Sequence, residues 1–276
     1  MVISSEYPFS YHPCYSENRT SLWHRIHLPV ARYCNVKCMF CSHSIGSSCH
    51  SSKPGECKKI MTPAAAVART RIEVERNPNL RIVAISGPGE PLANPETFET
   101  LEMVRTNFKD IAICLSTNGT LLEENVRKLK ELNVETISVS MSTSSIHSAS
   151  KIYEWGKFQD MIIHGEEMAS RIVQSQLQGI IKASGAGIHV KVNSILIPGI
   201  NMNDIVPLAR ILATVGVVLQ NIVPLVPNDR LSSCRAPTKK ELSRIRAEAS
   251  QFIRQFSFCK QCRSDVVGIP GCDTIL

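Results

Sequence analysis

The chain has 276 residues, of which 43% are hydrophobic and 20% charged, and its 31 basic and 24 acidic side chains give a formal net charge of +7. These values are typical of a globular protein and exclude a disordered, collagen-like or coiled-coil chain. Aromatic residues make up only 5% of the chain, and no basic run is interleaved with them. We therefore expect no nucleic-acid partner, because single-stranded nucleic acid is bound by aromatic stacking beside basic side chains.

The sequence also carries no sign of a membrane segment. No apolar run approaches the roughly 18 residues of a spanning helix, and the first residues lack the basic-then-apolar order of a secretory signal. We expect no membrane partner and a cytoplasmic protein.

Short β-type runs alternate with helical stretches along the chain, as expected when crossover helices join parallel strands. A Thr62-Pro63 pair predicts one helix start, and Thr238 followed by Glu241 predicts a capping box at another. The predicted strands cover residues 25–30, 81–86, 111–115, 136–141, 188–197 and 216–223. Six such units predict an α/β fold in the form of a partial barrel, whose site lies at the carboxyl ends of the strands.

The fifth predicted strand has a polar face. His189, Lys191 and Asn193 alternate with apolar residues, so the three share one side of the strand. Such a stripe favours a ligand cavity, and the alternative is a strand end in contact with water. In the first strand, His27 shares its face with Arg25 by the same alternation.

Eleven cysteines form the most unusual feature of the composition. An odd number cannot pair completely within one chain, and clustered cysteines in a cytoplasmic protein favour metal binding or redox chemistry. Cys34, Cys38 and Cys41 form a C-x-x-x-C-x-x-C segment directly after the first predicted strand, and Cys259 with Cys262 forms a C-x-x-C. Thiolates select zinc, copper(I) or iron–sulfur clusters, and a three-thiolate site leaves one position open.

This segment resembles the cluster loop of the radical S-adenosylmethionine (radical SAM) superfamily. The resemblance implies a [4Fe–4S] cluster on Cys34, Cys38 and Cys41 that binds S-adenosylmethionine and cleaves it to a 5′-deoxyadenosyl radical. It also implies contacts to that cofactor, although each residue taken singly could equally be a turn or cap residue. The implied contacts are Phe40, Gly87, Gly89, Glu90, Ser116, Asn118, Lys191 and Asn193.

The remaining motifs, taken in order, resemble the NifB family of nitrogenase cofactor maturases. They include a His-Pro-Cys at residues 12–14, a Cys-Leu-Ser-Thr-Asn-Gly at 114–119 and a Lys-Val-Asn-Ser at 191–194. The resemblance implies two auxiliary [4Fe–4S] clusters, with Cys114 among the catalytic residues beside the three loop cysteines. A histidine completes the set, with His27 as the first choice and His12 as the second. The implied auxiliary cysteines are Cys14, Cys49, Cys114, Cys259 and Cys262.

The function implied by this resemblance is the fusion of two [4Fe–4S] clusters. One sulfide and one carbide are added, which gives the [8Fe–9S–C] precursor of the iron–molybdenum cofactor used in nitrogen fixation. One S-adenosylmethionine donates a methyl group to a cluster sulfide, and a second supplies the radical that abstracts hydrogen from it. The implied partners are a reductant protein and the donor and acceptor or carrier proteins of nitrogenase cofactor assembly.

Two other functions stay open at this point. One is a different radical SAM enzyme that uses auxiliary clusters on an organic substrate, and the other is a non-catalytic cluster scaffold. A departure from the family pattern at His50 to Lys53, beside Cys49, bears on the substrate and product. The predicted organisation is an N-terminal cluster-binding extension (1–24), a partial (βα)6 TIM-like barrel of the radical SAM type (25–235) and a C-terminal helix with the C-x-x-C tail (236–276).

Overall fold

Six parallel strands lie side by side in chain order and form the centre of the fold. The computed structural model describes residues 6–42, 45–46 and 54–276. The described strands are β1 (His24–His27), β2 (Val36–Cys38), β3 (Leu80–Ile85), β4 (Ala112–Thr117), β5 (Val134–Ser140), β6 (Tyr153–Phe158), β7 (Met161–Ile163), β8 (His189–Leu196), β9 (Leu219–Pro224), β10 (Val266–Gly268) and β11 (Thr274–Ile275). The described helices are α1 (Pro63–Arg76), α2 (Pro95–Asn107), α3 (Leu122–Glu131), α4 (Ile146–Ile152), α5 (Gly165–Gly185), α6 (Ile205–Thr214) and α7 (Lys239–Ala249).

The strand order confirms the predicted α/β architecture. Strands β1, β3, β4, β5, β8 and β9 pair in parallel in that order, and β10 and β11 extend the sheet from β1 in antiparallel pairing. All six predicted strands are present. In the part of the chain that the structure describes, β1 and β9 do not pair with each other, so the sheet is open as a partial barrel requires.

Both predicted helix starts are confirmed. The Thr62 hydroxyl accepts a hydrogen bond from the Ala65 amide at 3.3 Å at the start of α1. Thr238 and Glu241 form the reciprocal capping box of α7. Within the described ranges, the helices include none long and apolar enough to cross a membrane.

A small antiparallel sheet of β2, β6 and β7 is absent from the sequence-based prediction. Strands β2 and β7 have three residues each, which is too short for an alternating pattern to be recognised. The first predicted strand also ends earlier than expected, at His27. Pro29 follows two residues later, and a proline has no amide hydrogen to donate to a neighbouring strand.

The N-terminal segment packs against one face of the central sheet. Tyr7 contacts Ile82, Ala84, Ala112 and Cys114, which alternate along β3 and β4 and therefore share this inner face. His189 also belongs to this inner face, and its ring centre lies 5.7 Å from that of Phe9. The opposite side of β8, with Val190 and Val192, lies in the main hydrophobic core. The alternation predicted for the polar stripe is thus confirmed.

Tyr15 joins this segment to two strands. Its buried hydroxyl lies 3.0 Å from the carbonyl oxygen of Ile137 on β5 and 3.1 Å from that of His189 on β8.

We expect Tyr15→Phe to lower the free energy of unfolding of the cluster-free protein by about 1 to 2 kcal/mol, because both carbonyls lose their donor. Urea unfolding under anaerobic conditions measures this. Tyr33→Phe, at a side chain that is 68% exposed, is the control, and equal losses in the two variants would contradict the assignment.

Candidate active site

The cysteine loop is anchored at several points. Within it, β2 pairs with β6 so that Cys38 lies opposite Tyr153, and the Cys41 amide donates to the Cys38 carbonyl at 3.1 Å. The Lys37 ammonium donates to the Cys41 carbonyl and forms an ion pair with Asp229. The backbone that carries the three thiols is therefore held by the pairing of β2 with β6 and by the contacts of Lys37.

The three loop thiols lie close enough to affect one another electrostatically. Burial raises the pKa of Cys34 to about 12, with smaller contributions from the Glu90 carboxylate and from Cys41. Burial also raises the pKa of Cys38, and Cys41 and Cys34 add to the effect. Lys37 and the hydrogen bonds from Val36 and Asn118 oppose these changes only in part, so thiolates at these positions need a further cationic partner. Iron supplies that charge, so the donor set fits an iron–sulfur cluster.

The arrangement differs from a site for one metal ion. Among the described residues, no three histidine, cysteine or carboxylate side chains converge as the ligands of a single ion would. A [4Fe–4S] cluster instead spreads its thiolates over several iron atoms.

The glycine turn after β3 packs against the cysteine loop. The Gly89 amide donates to the Ala31 carbonyl and the Glu90 amide to the Tyr33 carbonyl, both at 2.8 Å. A Cβ atom on Gly89 would lie 2.2 Å from the Tyr33 oxygen, so only glycine fits there. The contact that requires Gly89 is therefore made by the protein itself, whereas the sequence pattern led us to expect a bound cofactor. Gly87, at φ +135°, also has a backbone conformation that favours glycine.

The Glu90 carboxylate is buried and holds the end of β4 beside this turn. It accepts hydrogen bonds from the Thr117 hydroxyl at 2.5 Å, the Asn118 amide at 2.6 Å and the Leu92 amide at 3.0 Å. Burial raises its pKa to about 7, although all three donors oppose that change. Glu90 thus connects the glycine turn to the adjacent strand end.

Asn118 connects the same strand end to the cysteine loop. Its side-chain amide donates to the Asn35 oxygen at 2.9 Å, and the Asn35 amide donates to the Thr120 hydroxyl at 2.8 Å. Ser116 lies two residues earlier on the inner face of β4. Asn193, on β8, accepts from the Asn221 amide of β9 at 2.8 Å. It pairs in register with Ser140, the last residue of β5, so it lies level with the carboxyl end of that strand.

An open cavity lies between the cysteine loop and the C-x-x-C segment. Phe40 and Cys41 line it from the loop, Pro88 from the glycine turn, Leu225 from the chain after β9, and Gln261 from between Cys259 and Cys262. Its empty space, including the open mouth, is about 600 Å³. An organic cofactor in this cavity would contact Cys41 of the loop and Gln261 of the C-x-x-C segment.

Four of the five predicted auxiliary cysteines gather on the inner side of the sheet. Cys14 and Cys259 both pack against the hydrophobic cluster of Tyr15, Leu219 and Phe256. Burial raises the pKa of Cys114 to about 11 and that of Cys262 to about 12, and in both cases Cys14 contributes. Cys14 is therefore close to both thiols. The fifth, Cys49, and the neighbouring residues His50 to Lys53 lie outside the described residues.

The two candidate histidines differ in their hydrogen bonds. His27 accepts from the Arg25 Nε at 3.2 Å, and its other ring nitrogen lies 3.0 Å from the Arg263 carbonyl. Burial and the Arg25 guanidinium lower the pKa of His27 to about 3, so its ring is neutral. His12 accepts from the Cys14 amide at 3.0 Å, while its buried Nε2 has no partner among the described residues. The choice of His27 before His12 stays a prediction.

Several positioning residues have no recognisable sequence signal. The Asn94 oxygen accepts from the Arg32 and Tyr33 amides, both at 3.0 Å, directly before Cys34. In the sequence, Asn94 precedes Pro95 and indicates only a helix start. Lys37 and Asp229 are 192 positions apart, so their contact exists only in the folded chain.

Residues 28–212 match the Radical SAM superfamily. Among solved structures, the fold is similar to SuiB from Streptococcus suis, with a TM-score of 0.58 and 13% identity over 84% of this chain and 49% of that one. It is also similar to methylornithine synthase (PylB), with a TM-score of 0.52 and 12% identity over 84% of this chain and 70% of that one. Fold and family match together define a radical SAM enzyme, which binds S-adenosylmethionine at a [4Fe–4S] cluster.

Curated relatives narrow this class. The chain is 38% identical to the FeMo cofactor biosynthesis protein NifB of Methanocaldococcus jannaschii, over 94% of this chain and 86% of that relative. It is 35% identical to the protein of the same name from Klebsiella pneumoniae, over 95% of this chain and 57% of that relative. The chain belongs to the NifB family, which confirms the resemblance drawn from its motifs.

Glu90 gives the stability of the protein a defined pH dependence. Its pKa is about 7 in the fold against an ordinary value of 4.5, so folding favours its protonated form. The contribution of the Glu90 carboxyl to the free energy of unfolding is fully present below pH 4.5 and is lost as the pH rises through 7. Between pH 4.5 and 8, we expect the free energy of unfolding of the cluster-free wild type to fall by up to about 3 kcal/mol more than that of Glu90→Gln.

Urea unfolding at several pH values measures this difference. Glu123→Gln, which removes an exposed carboxylate, is the control and should follow the wild type. Parallel pH profiles for the wild type and Glu90→Gln would show that the Glu90 carboxyl is not perturbed by burial.

Proposed function

We propose that this chain is a radical SAM maturase that joins two [4Fe–4S] substrate clusters through an added carbide and an added sulfide. The product would be the [8Fe–9S–C] precursor of the iron–molybdenum cofactor. Two findings support this proposal: membership of the NifB family, and relatives whose names refer to FeMo cofactor biosynthesis.

The observation that carries the proposal is the second group of cysteines. A minimal radical SAM enzyme requires only the loop cysteines, Cys34, Cys38 and Cys41. This chain also brings Cys14, Cys114, Cys259 and Cys262 together on the inner face of the sheet. Soft thiolates at a partly open site suit iron–sulfur clusters that are bound, altered and released.

The roles of the residues follow from their positions. The loop cysteines hold the [4Fe–4S] cluster, which supplies the electron for cleavage of S-adenosylmethionine. Asn94, Lys37 and Asn118 keep the loop in place through the contacts described above. The auxiliary cysteines would hold the substrate clusters on the inner face of the sheet.

The proposed partners are a reductant protein and the proteins that deliver the substrate clusters and accept the product. This part of the proposal follows from the chemistry, because a reductive cleavage consumes an electron and an assembled cluster must be passed on.

The reaction itself supplies the test. Anaerobically reconstituted protein, incubated with reductant and S-adenosylmethionine, should form both S-adenosylhomocysteine and 5′-deoxyadenosine. The first product reports methyl transfer and the second reports radical formation, and liquid chromatography of one sample quantifies both. 5′-Deoxyadenosine alone would favour a different radical SAM reaction, and neither product, with all clusters present, would favour a scaffold.

Cys114 allows a sharper version of this test. We expect Cys114→Ala to form 5′-deoxyadenosine but little S-adenosylhomocysteine, because a ligand of the methyl-accepting cluster is lost while the loop site is intact. Cys57→Ala is a matched control, since both thiols are buried and Cys57 has no assigned ligand role. Wild-type amounts of both products in Cys114→Ala would exclude Cys114 as a ligand.

A further inference from the structure

Lys191 is a buried cation without a matching anion. Its side chain lies on the inner face of β8 and the residue is 3% exposed. The ammonium donates to the Cys14 carbonyl at 3.2 Å and lies 5.1 Å from the Tyr15 ring centre and 5.6 Å from that of Phe256. In the described part of the chain, no carboxylate forms an ion pair with it.

These contacts do not balance the cost of burial. One carbonyl and two ring faces stabilise an ammonium less than a full negative charge does, and an unpaired buried charge is strongly destabilising. The other buried cation on this face, Arg25, has such a partner, because it pairs with Asp273 at 2.7 Å. The environment of Lys191 therefore favours an anionic ligand beside its ammonium.

Two of the auxiliary cysteines lie near the Lys191 ammonium. Lys191 contacts Cys14 directly, and it lies near enough to Cys114 to oppose the burial that raises the pKa of that thiol. The pairing register places Lys191 beside Ser138 on β5, one step along the strands from the row of Cys114 and Thr136. The ammonium thus lies on the same inner face as Cys114, displaced toward the carboxyl ends of the strands.

We propose that Lys191 is the counter-ion of the iron–sulfur substrate held by Cys14 and Cys114. This inference rests on the proposed function, since it requires a cluster at the auxiliary cysteines. A thiolate-bound [4Fe–4S] cluster carries net negative charge, so the ammonium would stabilise the bound cluster and favour its reduced state. In this proposal Lys191 acts on the substrate cluster, whereas the sequence analysis predicts a contact to S-adenosylmethionine.

Lys191→Met tests this assignment, because it keeps the length of the side chain and removes the charge. Full-length wild type, Lys191→Met, Lys191→Arg and the exposed control Lys182→Met are reconstituted anaerobically. Auxiliary iron is defined as the iron retained beyond that of a Cys14→Ala/Cys114→Ala double variant. We measure its rate of loss to a chelator, and its reduction potential in a titration followed by electron paramagnetic resonance.

We expect Lys191→Met to lose auxiliary iron about tenfold faster than the wild type, the ratio for one charge interaction of about 1.4 kcal/mol. Its auxiliary cluster should have a more negative reduction potential. Lys191→Arg should restore both properties, and Lys182→Met should match the wild type. Cluster-free Lys191→Met should unfold at the same or a higher urea concentration, since an unpaired buried cation has been removed.

Different failures lead to different conclusions. Wild-type iron retention and potential in Lys191→Met would overturn the counter-ion role alone. Loss of S-adenosylmethionine binding with unchanged auxiliary iron would make Lys191 a cofactor contact. Lower stability of the cluster-free variant would make it a structural residue. A wild type with no more iron than the double variant would overturn the proposed function, and this inference with it.

Discussion

Arg25 is the contact on which the geometry of the second cysteine group depends. Its buried guanidinium donates to the Cys262 sulfur at 3.0 Å, the Gly268 carbonyl at 2.7 Å and the Asp273 carboxylate at 2.7 Å. One side chain of β1 therefore connects the C-x-x-C segment, β10 and the tail. Because Arg25 itself is fully buried, loss of the Asp273 carboxylate would leave its charge without that partner, which favours attachment of the tail to the sheet.

A second set of contacts places the cysteine loop relative to this tail. The Gly55 amide donates to the Cys262 carbonyl at 3.1 Å, and the Ser264 amide donates to the Glu56 carbonyl at 3.0 Å. The Lys58 amide donates to the Asp265 carboxylate at 2.6 Å. The chain that returns from the loop region is thus bound to the tail next to Cys262. The segment after the cysteine loop and the C-x-x-C segment are therefore in contact although more than 200 residues separate them.

What the sequence predicts well is local. Six strands, two caps and the loop cysteines follow from periodicity and spacing within short windows, so their prediction needed no knowledge of the tertiary fold. The approach of Cys14 to Cys114 and Cys262 was inferred only from resemblance to a family, because no rule of spacing connects residues so far apart. The sequence also predicts the polar face of β8. The groups that this face contacts depend on the N-terminal segment that packs against it, which no local pattern predicts.

Other features lie beyond any local pattern. Gly89 follows the family motif, yet the steric reason for it is the Tyr33 carbonyl, which the fold brings to the position a Cβ would occupy. Asn94 has the sequence context of a helix cap, and its main contacts are with the loop before Cys34. In both cases the residue type is explained by a neighbour that only the tertiary fold supplies.

The two cysteine groups differ in the charges around them. Cys34 lies near the buried Glu90 carboxyl, whose pKa is about 7, and Cys38 lies near the Lys37 ammonium. Cys14 and Cys262 contact Lys191 and Arg25. Negative charge near an iron–sulfur cluster disfavours an added electron, and positive charge favours it. Two cations therefore face the second cysteine group, and under the proposed function they would stabilise a negatively charged, thiolate-bound cluster there.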